Sequence, residues 1–349
     1  MSENLYEVII IGAGQAGIAM SYQLKQKGIE NQLMIDAQKH IGDSWRFRYK
    51  SLVLFTPKSY SALPGLEMKG NLNSYPTKNE MANYLESYVS HFDLPFKMNT
   101  MVTRLEKKDG YFNIYTEDEK FQSRKVIIAS GAFQKSFIPP VTKNEDNTVS
   151  QLHSSLYIEP RTLRSGSVLV VGGGNSGAQI AVELSTDRED VFLAMSYQPK
   201  FLPLTILGKS IFYWLEILKL LYAGTDTVRG RQFQKRNDPI FGTELKWAIK
   251  EQTIKIKPKV TEVKGDQVTF SDGSTLRVNN IIWATGFVPA YELIEIDGAI
   301  DKEGRPIHER GVSPIDGLYY IGLPWQHNRG SGLVCGVGRD AKYLAEKIF

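Results

Sequence analysis

The sequence predicts an α/β protein of two similar halves, each organised around a buried parallel sheet. Three observations predict it. A turn of pattern Gly-x-Gly-x-x-Gly follows an apolar run at Gly12, Gly14 and Gly17, and the pattern returns at Gly172, Gly174 and Gly177. Each turn leads into an amphipathic helical segment and then a second apolar strand. Each copy also passes through alternating strands to a β-run ending in small residues, KVIIASG at Gly131 and NIIWATG at Gly286. Gly12 to Gly131 is 119 residues and Gly172 to Gly286 is 114, so the spacing repeats as well as the motif.

In the first copy, residues 8–11 are continuously apolar, as a strand covered on both faces requires. The segment IAMSYQLKQKG stops at Gly28, a helix C-cap. The next strand, NQLMID, ends in Asp36, 19 residues after Gly17. These parts select a dinucleotide. The glycines let the backbone approach a pyrophosphate, the helix N-terminus offers free N–H groups, and a carboxylate accepts hydrogen bonds from ribose hydroxyls. A glycine-rich turn with no ligand is the alternative. VTRLEKKDGYFNIYT then reads as two strands across an Asp109-Gly110 turn.

The second copy repeats this through residues 168–171, the helix AQIAVELS and the strand DVFLAMS. Its strand carries no terminal acid; Met195 and Ser196 stand there instead. An acid would repel a ribose 2′-phosphate, so its absence leaves NADPH and NADH both open. VTEVKGDQVTFSDGSTLRV gives further strands across Gly265-Asp266 and Asp272-Gly273. Two turns imply two dinucleotides, one held tightly and one exchanging.

Composition narrows the rest. A chain of 349 residues accommodates two domains. The net charge of +4 is small, and no contiguous Lys/Arg run marks a nucleic-acid or membrane stripe. A single cysteine, Cys335, excludes an internal disulfide and a CxxC pair. That fits a reducing compartment, and a cytoplasmic location is expected. The greasiest stretch, SIFYWLEILKLLY at 210–222, contains Glu216 and Lys219 and is too short to span a bilayer. It reads as a packed helix, with an interfacial or lid helix beside a substrate entrance as the alternative; no stable membrane insertion is expected. His40, His91, His308 and His327 show no metal spacing, so no metal is expected. A homodimer is left open.

The flanks of both turns carry a resemblance. IGDSWRFRYKSLVLFTPKSYSALPG at 41–65, SYPTKNEMANYLESYV, VVGGGNSGAQIA, IIWATGF and the tail YYIGLPWQHNRGSGLVCGVGRDAKYLA are similar, nearly end to end, to two-dinucleotide-binding flavoproteins. Within them the chain resembles the flavin-containing monooxygenase group, and there the YUCCA-like and CzcO-like oxidoreductases. The resemblance implies two Rossmann-like dinucleotide-binding domains, the NAD(P) domain inserted into the FAD domain. Residues 1–159 and 281–349 would bind FAD and 160–280 NAD(P)H, with crossings near Gly131 and Gly286.

The resemblance also assigns residues. FAD would contact Gly12, Gly14, Gln15, Ala16, Gly17, Asp36, Ala37, Gln38, Ser44, Trp45, Val102, Ser130, Gly131, Gly286, Gly332 and Leu333. NADPH or NADH would contact Gly172, Gly174, Asn175, Ser176 and Gly177. The chemistry would be carried by the cofactors, with hydride moving from nicotinamide C4 to flavin N5, so no catalytic side chain is expected. Trp45, Gln326, Asn328 and Arg329 are candidates to face the flavin or a substrate. A helix beginning after PWQHNRGSG would aim its N-terminus at the flavin pyrimidine and stabilise negative charge there. The implied activity is oxygenation of a small organic molecule by O2 through a C4a-(hydro)peroxyflavin. The alternative is a reductase or oxidase passing electrons to a quinone, a protein or oxygen. Three departures stand out. The signature half HSSLY keeps His153 and Tyr157, but Asn147 and Val149 replace its Phe and Gly. LAMSYQPK lacks the arginine that relatives use for a 2′-phosphate, with Lys200 the nearest base. Phe55 and Thr56 occupy the stretch where animal-type members place an asparagine.

Overall fold

The computed structural model describes residues 5–143, 148–236 and 238–349. Strands β1 (Leu5–Ile11), β2 (Gln32–Ile35), β3 (Phe96–Lys97) and β6 (Lys120–Ile128) lie parallel in the order β3-β2-β1-β6. The end of β6 receives a fifth parallel strand from the C-terminal part of the chain, β22 (Leu318–Tyr320), with Leu318 opposite Val126. The start of β6 instead pairs antiparallel with β5 (Tyr111–Thr116), which pairs with β4 (Val102–Lys108). Asp109 and Gly110 join those two at φ 53° and 82°, the left-handed pair that a tight hairpin needs.

The second sheet has the same plan. Strands β9 (Ser150–His153), β10 (Val168–Val171), β11 (Val191–Ala194), β16 (Ile254–Lys257) and β20 (Asn280–Trp283) run parallel in the order β16-β11-β10-β20-β9. A meander of β17 (Val260–Lys264), β18 (Gln267–Phe270) and β19 (Thr275–Arg277) sits beside it, with β8 (Thr142–Lys143) added parallel to β17. The fifth strands differ in origin. In the first sheet it follows the entire second half; in the second, β9 precedes its own glycine turn. A short antiparallel ribbon of β7 (Lys135–Ser136) and β21 (Phe287–Val288) carries the chain between the sheets.

Every residue of β10, β11 and β20 is buried, which explains their unbroken apolar sequences. Helices α1 (Gln15–Gln26), α4 (Lys78–His91) and α9 (Val334–Ile348) cover one face of the first sheet. In α9, Val334, Val337, Ala341, Leu344, Ala345 and Ile348 recur at helical spacing and are buried, so one stripe faces the sheet. Tyr291, Ile294 and Ala299 help close the other face. On the second sheet, α5 (Asn175–Asp187) and α8 (Glu244–Lys250) cover one side and the meander the other, around Trp283 and Phe270. Short helices α2 (Asp43–Arg46) and α3 (Lys58–Ser61) follow β2.

Between β11 and α8 lies a segment of short elements. β12 (Phe201–Leu202) pairs with β15 (Ile240–Phe241), β13 (Thr205–Ile206) and β14 (Lys209–Ser210) form a hairpin, and α6 (Ile211–Ile217) and α7 (Val228–Gln234) follow. The apolar run to Tyr222 suggests one longer helix. Instead α6 ends at Ile217, because Lys219 turns to φ 55° and the N–H groups of Leu220 and Leu221 both return to the Leu215 carbonyl.

Candidate functional site

The two glycine turns are nearly superposable in what they forbid. Gly12 has φ 111°, and a Cβ there would lie 2.4 Å from the Ala129 oxygen; Gly172 has φ 123°, and its Cβ would lie 2.2 Å from the Ala284 oxygen. Gly17 and Gly177 pack so tightly that a Cβ would sit 1.9 and 2.0 Å from the Gly12 and Gly172 oxygens. The middle glycines differ: a Cβ on Gly14 or Gly174 meets nothing within 4 Å. The outer glycines therefore serve the fold, whereas the middle one keeps space open above a helix N-terminus.

That N-terminus is ready for an anion. Among the four long helices, α4 has a full capping box, Thr77 with Glu80. Helices α1, α5 and α9 begin at Gly14, Gly174 and Leu333 with no side-chain cap. Their first N–H groups, with the positive dipole end, are left for a ligand's phosphates or for developing negative charge. The residues thus fit two dinucleotides and one further electron-rich group.

Asp36 ends β2 beside the first turn. Its carboxylate accepts from Ala13 N at 2.7 Å and Gln38 N at 2.8 Å, so it both braces the turn and presents its remaining lone pairs outward. Asp36→Ala removes both bonds. Each hydrogen bond to a charged acceptor contributes about 1.5–3 kcal/mol, so a lower unfolding midpoint is expected in thermal denaturation. Ala37 and Gln38 are exposed at the strand end, and Asn99 N bonds to Gln38 O, which brings the approach to Val102 alongside them. Ala16 faces Gly322, where a Cβ would lie 2.8 Å from its methyl.

Trp45 Nε1 donates to Gln15 Oε1 at 3.2 Å, tying α2 to the first turn. Its neighbour Arg46 is an ion-pair residue, bound to Asp43 at 3.2 Å and Glu86 at 2.8 Å. Buried Lys78 donates to the carbonyls of Arg46 and Arg48, fixing the end of α2. Ser44 is exposed, as is Ser130, whose hydroxyl accepts from Gln134. Gly131 and Gly286 have φ 76° and 83° and open onto the crossing ribbon.

The tail loop is built from buried polar residues. Gln326 is 4% exposed; its Oε1 accepts from Leu323 N, and its Nε2 has no partner among the described residues. Asn328 is equally buried, and the Ser331 hydroxyl accepts from the N–H groups of His327 and Asn328. Arg329 pairs with Asp238 at 3.1 Å, joining the tail to the 201–243 segment. Gly332 lies against Pro324, and Leu333 starts α9 within an apolar cluster. That cluster gathers Phe55 and Tyr60 from the first half, Phe212 and Phe241 from the 201–243 segment, and Leu333 and Cys335 from the tail. Phe55 stacks on Phe241 with centroids 4.5 Å apart. Burial pushes the Cys335 thiol up to about 12, so it stays protonated at neutral pH.

In the second turn, Asn175 is already engaged: it donates to Pro239 O at 3.2 Å and accepts from Phe241 N at 2.8 Å. Ser176 lies beside Tyr49 rather than capping α5. A shallow, open depression of ≈ 350 Å³ lies at the ends of β11 and β16, lined by Met195, Ser196, Tyr197, Gln198, Pro199, Ile256, Lys257 and Pro258. Lys257 is the one charged group in that lining, and its ammonium lies 5.9 Å from the Phe192 ring. This site was not legible in the motif, because β16 is 60 residues further along the chain.

His153 stands at the crossing. It is buried, bonded to Ser155 Oγ and Gly286 O at 2.9 Å each, with its ring edge on Phe287. Burial holds its pKa below the usual histidine range, which makes it a neutral strut. Asn147, the neighbouring signature position, lies outside the described residues. Among the described residues no group of His, Cys, Asp and Glu could hold a metal ion.

Fold and site together define an oxidoreductase with two dinucleotide sites, one for FAD and one for NAD(P)H. The chain belongs to the family whose model, pyridine nucleotide-disulphide oxidoreductase, matches residues 9–201. It is 50% identical over 99% of both chains to an uncharacterized CzcO-like oxidoreductase of Geobacillus kaustophilus. It is 28% identical to the probable indole-3-pyruvate monooxygenase YUCCA7 of Arabidopsis thaliana, over 97% of this chain and 86% of that one. A flavin-containing monooxygenase from Stenotrophomonas maltophilia shares the fold, with a TM-score of 0.83, 24% identity, and 99% and 98% of the two chains covered.

Proposed function

We propose that the protein is a flavin monooxygenase: NAD(P)H and O2 are consumed, one oxygen atom enters a small organic substrate, and the other leaves as water. One arrangement supports this reading above others. The uncapped start of α9, the first half and the 201–243 segment meet in the apolar cluster around Phe55, Phe212, Phe241 and Leu333, which would wall a water-poor site for an organic substrate. The names carried by the plant relative and the Stenotrophomonas structure point to the same class. Bound FAD would supply the redox and oxygen chemistry, and NAD(P)H the hydride. The chain's own part is positional. Gly14 and Gly174 leave room for two pyrophosphates, Trp45 and Gln15 brace the first turn, and the uncapped N-terminus of α9 would favour negative charge on a flavin bound beside it. In this reading the FAD domain is the first sheet, made from both ends of the chain, and the NAD(P)H domain is the second, entered and left through the β7–β21 ribbon; its edge strand β9 and the end of β20 lie outside the 160–280 span expected for it.

The adenosine of NAD(P)H would lie over the ends of β11 and β16, so Lys257 takes the role of the missing arginine toward a 2′-phosphate. Lys257→Glu is expected to weaken NADP+ binding about tenfold in titration calorimetry, while NAD+ binding changes little. Equal losses for both nucleotides would remove Lys257 from this role.

The test of the reaction is turnover under isotopically labelled dioxygen with a panel of amines, sulfides and ketones. One labelled oxygen atom in the product per NAD(P)H oxidised supports the proposal. The second reading, an NAD(P)H oxidase or reductase, is favoured by Asn147 and Val149 in place of the signature Phe and Gly. Steady nicotinamide oxidation, with all oxygen recovered as hydrogen peroxide and no labelled product, would establish it instead. A disulfide reductase of the CxxC type is disfavoured, since its dithiol needs two cysteines and the sequence has one.

A further inference from the structure

The outer face of residues 205–219 is apolar and cationic at once. Leu207 is 86% exposed at the tip of the β13–β14 hairpin and holds φ 49°, a left-handed backbone that leucine adopts only at a cost. Tyr213 and Ile217, one turn apart on α6, and the following Leu218 are exposed as well. Trp214 Nε1 donates to Ile206 O at 2.9 Å and so fixes the hairpin to the helix. The inner side chains Ile211 and Phe212 are buried in the cluster around Phe55, so the outward ones have no fold to complete. Single exposed apolar residues are ordinary; a contiguous group on one small unit marks a contact surface.

Charge identifies the contact. Lys209 and Lys219 flank the apolar side chains and are exposed, with no ion pair among the described residues. Glu216, the one acid on α6, is turned away, bonded to Tyr60 at 2.6 Å and Arg339 at 3.4 Å. Residues 205–219 carry Lys209 and Lys219 against Glu216 alone, and the chain from there to residue 236 adds Arg229, Arg231, Lys235 and Arg236 against Asp226. Sequence reading misses this because the cations are separated by apolar and polar residues rather than forming a run.

We propose that this face docks the protein on an anionic lipid surface, with Leu207, Tyr213, Ile217 and Leu218 entering the headgroup layer and Lys209 and Lys219 meeting lipid phosphates. The combination of an apolar wedge and flanking lysines is what an interfacial element needs. A second copy of the chain fits less well, since a symmetric contact would press the lysines of both copies together. Spanning is not involved: among the described residues no helix is long and apolar enough to cross a membrane. The proposal concerns a surface and does not depend on the reaction.

The experiment is flotation of the full-length, FAD-loaded protein with phosphatidylcholine vesicles containing about one-third phosphatidylglycerol, and with pure phosphatidylcholine vesicles. Co-flotation with the anionic vesicles, lost at high salt, is expected. Ile217→Gln/Leu218→Gln should reduce it about tenfold, with FAD content and unfolding midpoint unchanged. Lys209→Gln/Lys219→Gln should lower binding to the anionic vesicles alone. Absence of flotation, or equal flotation of the Ile217/Leu218 variant, overturns the proposal. So does a wild-type dimer in light scattering that the same variant converts to monomer, because the face would then be a self-contact.

Discussion

Gly14→Asp is expected to give a folded protein that purifies without its yellow colour. Gly14 has φ −77° and ψ −174°, a conformation open to any residue, and its Cβ would meet nothing within 4 Å. The fold therefore has no steric reason to fail, and an aspartate at this N-cap position can itself satisfy an N–H of α1. What it cannot do is coexist with a pyrophosphate. A carboxylate near a phosphate oxygen at an intermediate effective dielectric opposes binding by about 3–4 kcal/mol, or more than about a hundredfold in affinity. Flavin absorbance per mole of purified protein, read beside far-UV circular dichroism, checks both halves of the statement. By contrast, Gly17→Ala places a methyl 1.9 Å from the Gly12 oxygen, so its failure would report on folding rather than on the nucleotide.

Gly174→Asp should behave oppositely. Its position has the same open geometry, φ −81° and ψ 177°, but belongs to the second turn. The variant is expected to remain yellow and to lose nicotinamide binding. Flavin reduction by NADPH or NADH should slow about a hundredfold and no longer saturate. The two variants together separate a resident cofactor from an exchanging one. If Gly174→Asp were the colourless protein, the assignment of the two sites would have to be exchanged.

The sheets and the two turns were legible because their signals are local. Glycine spacing, an apolar run and a terminal acid all fall within 30 residues, and β1, α1, β2 and Asp36 follow from them. The alternation around Asp109-Gly110 and Gly265-Asp266 likewise predicted both meanders. What the sequence could not show depends on distant chain crossing the turns. The bonds from the Asn175 amide to Pro239 and Phe241, more than 60 residues away, are of this kind. Lys200 reads as the nearest base, whereas Lys257 lines the depression because β16 pairs with β11. The 201–243 segment takes its order from packing on Phe55, Tyr60 and the tail rather than from periodicity. The helix expected over 210–222 is cut to α6 for the same reason: Leu221 turns inward to join that cluster.

The most direct test of the central claim is anaerobic stopped-flow reduction of the purified protein by NADPH and by NADH, with Gly174→Asp as the control. Bleaching of the flavin absorbance is expected at a rate that saturates with nucleotide and collapses in the variant. Reduction of the wild-type protein no faster than that of free FAD, or at the same rate in the variant, would contradict the claim that the two glycine turns serve one electron-transfer reaction.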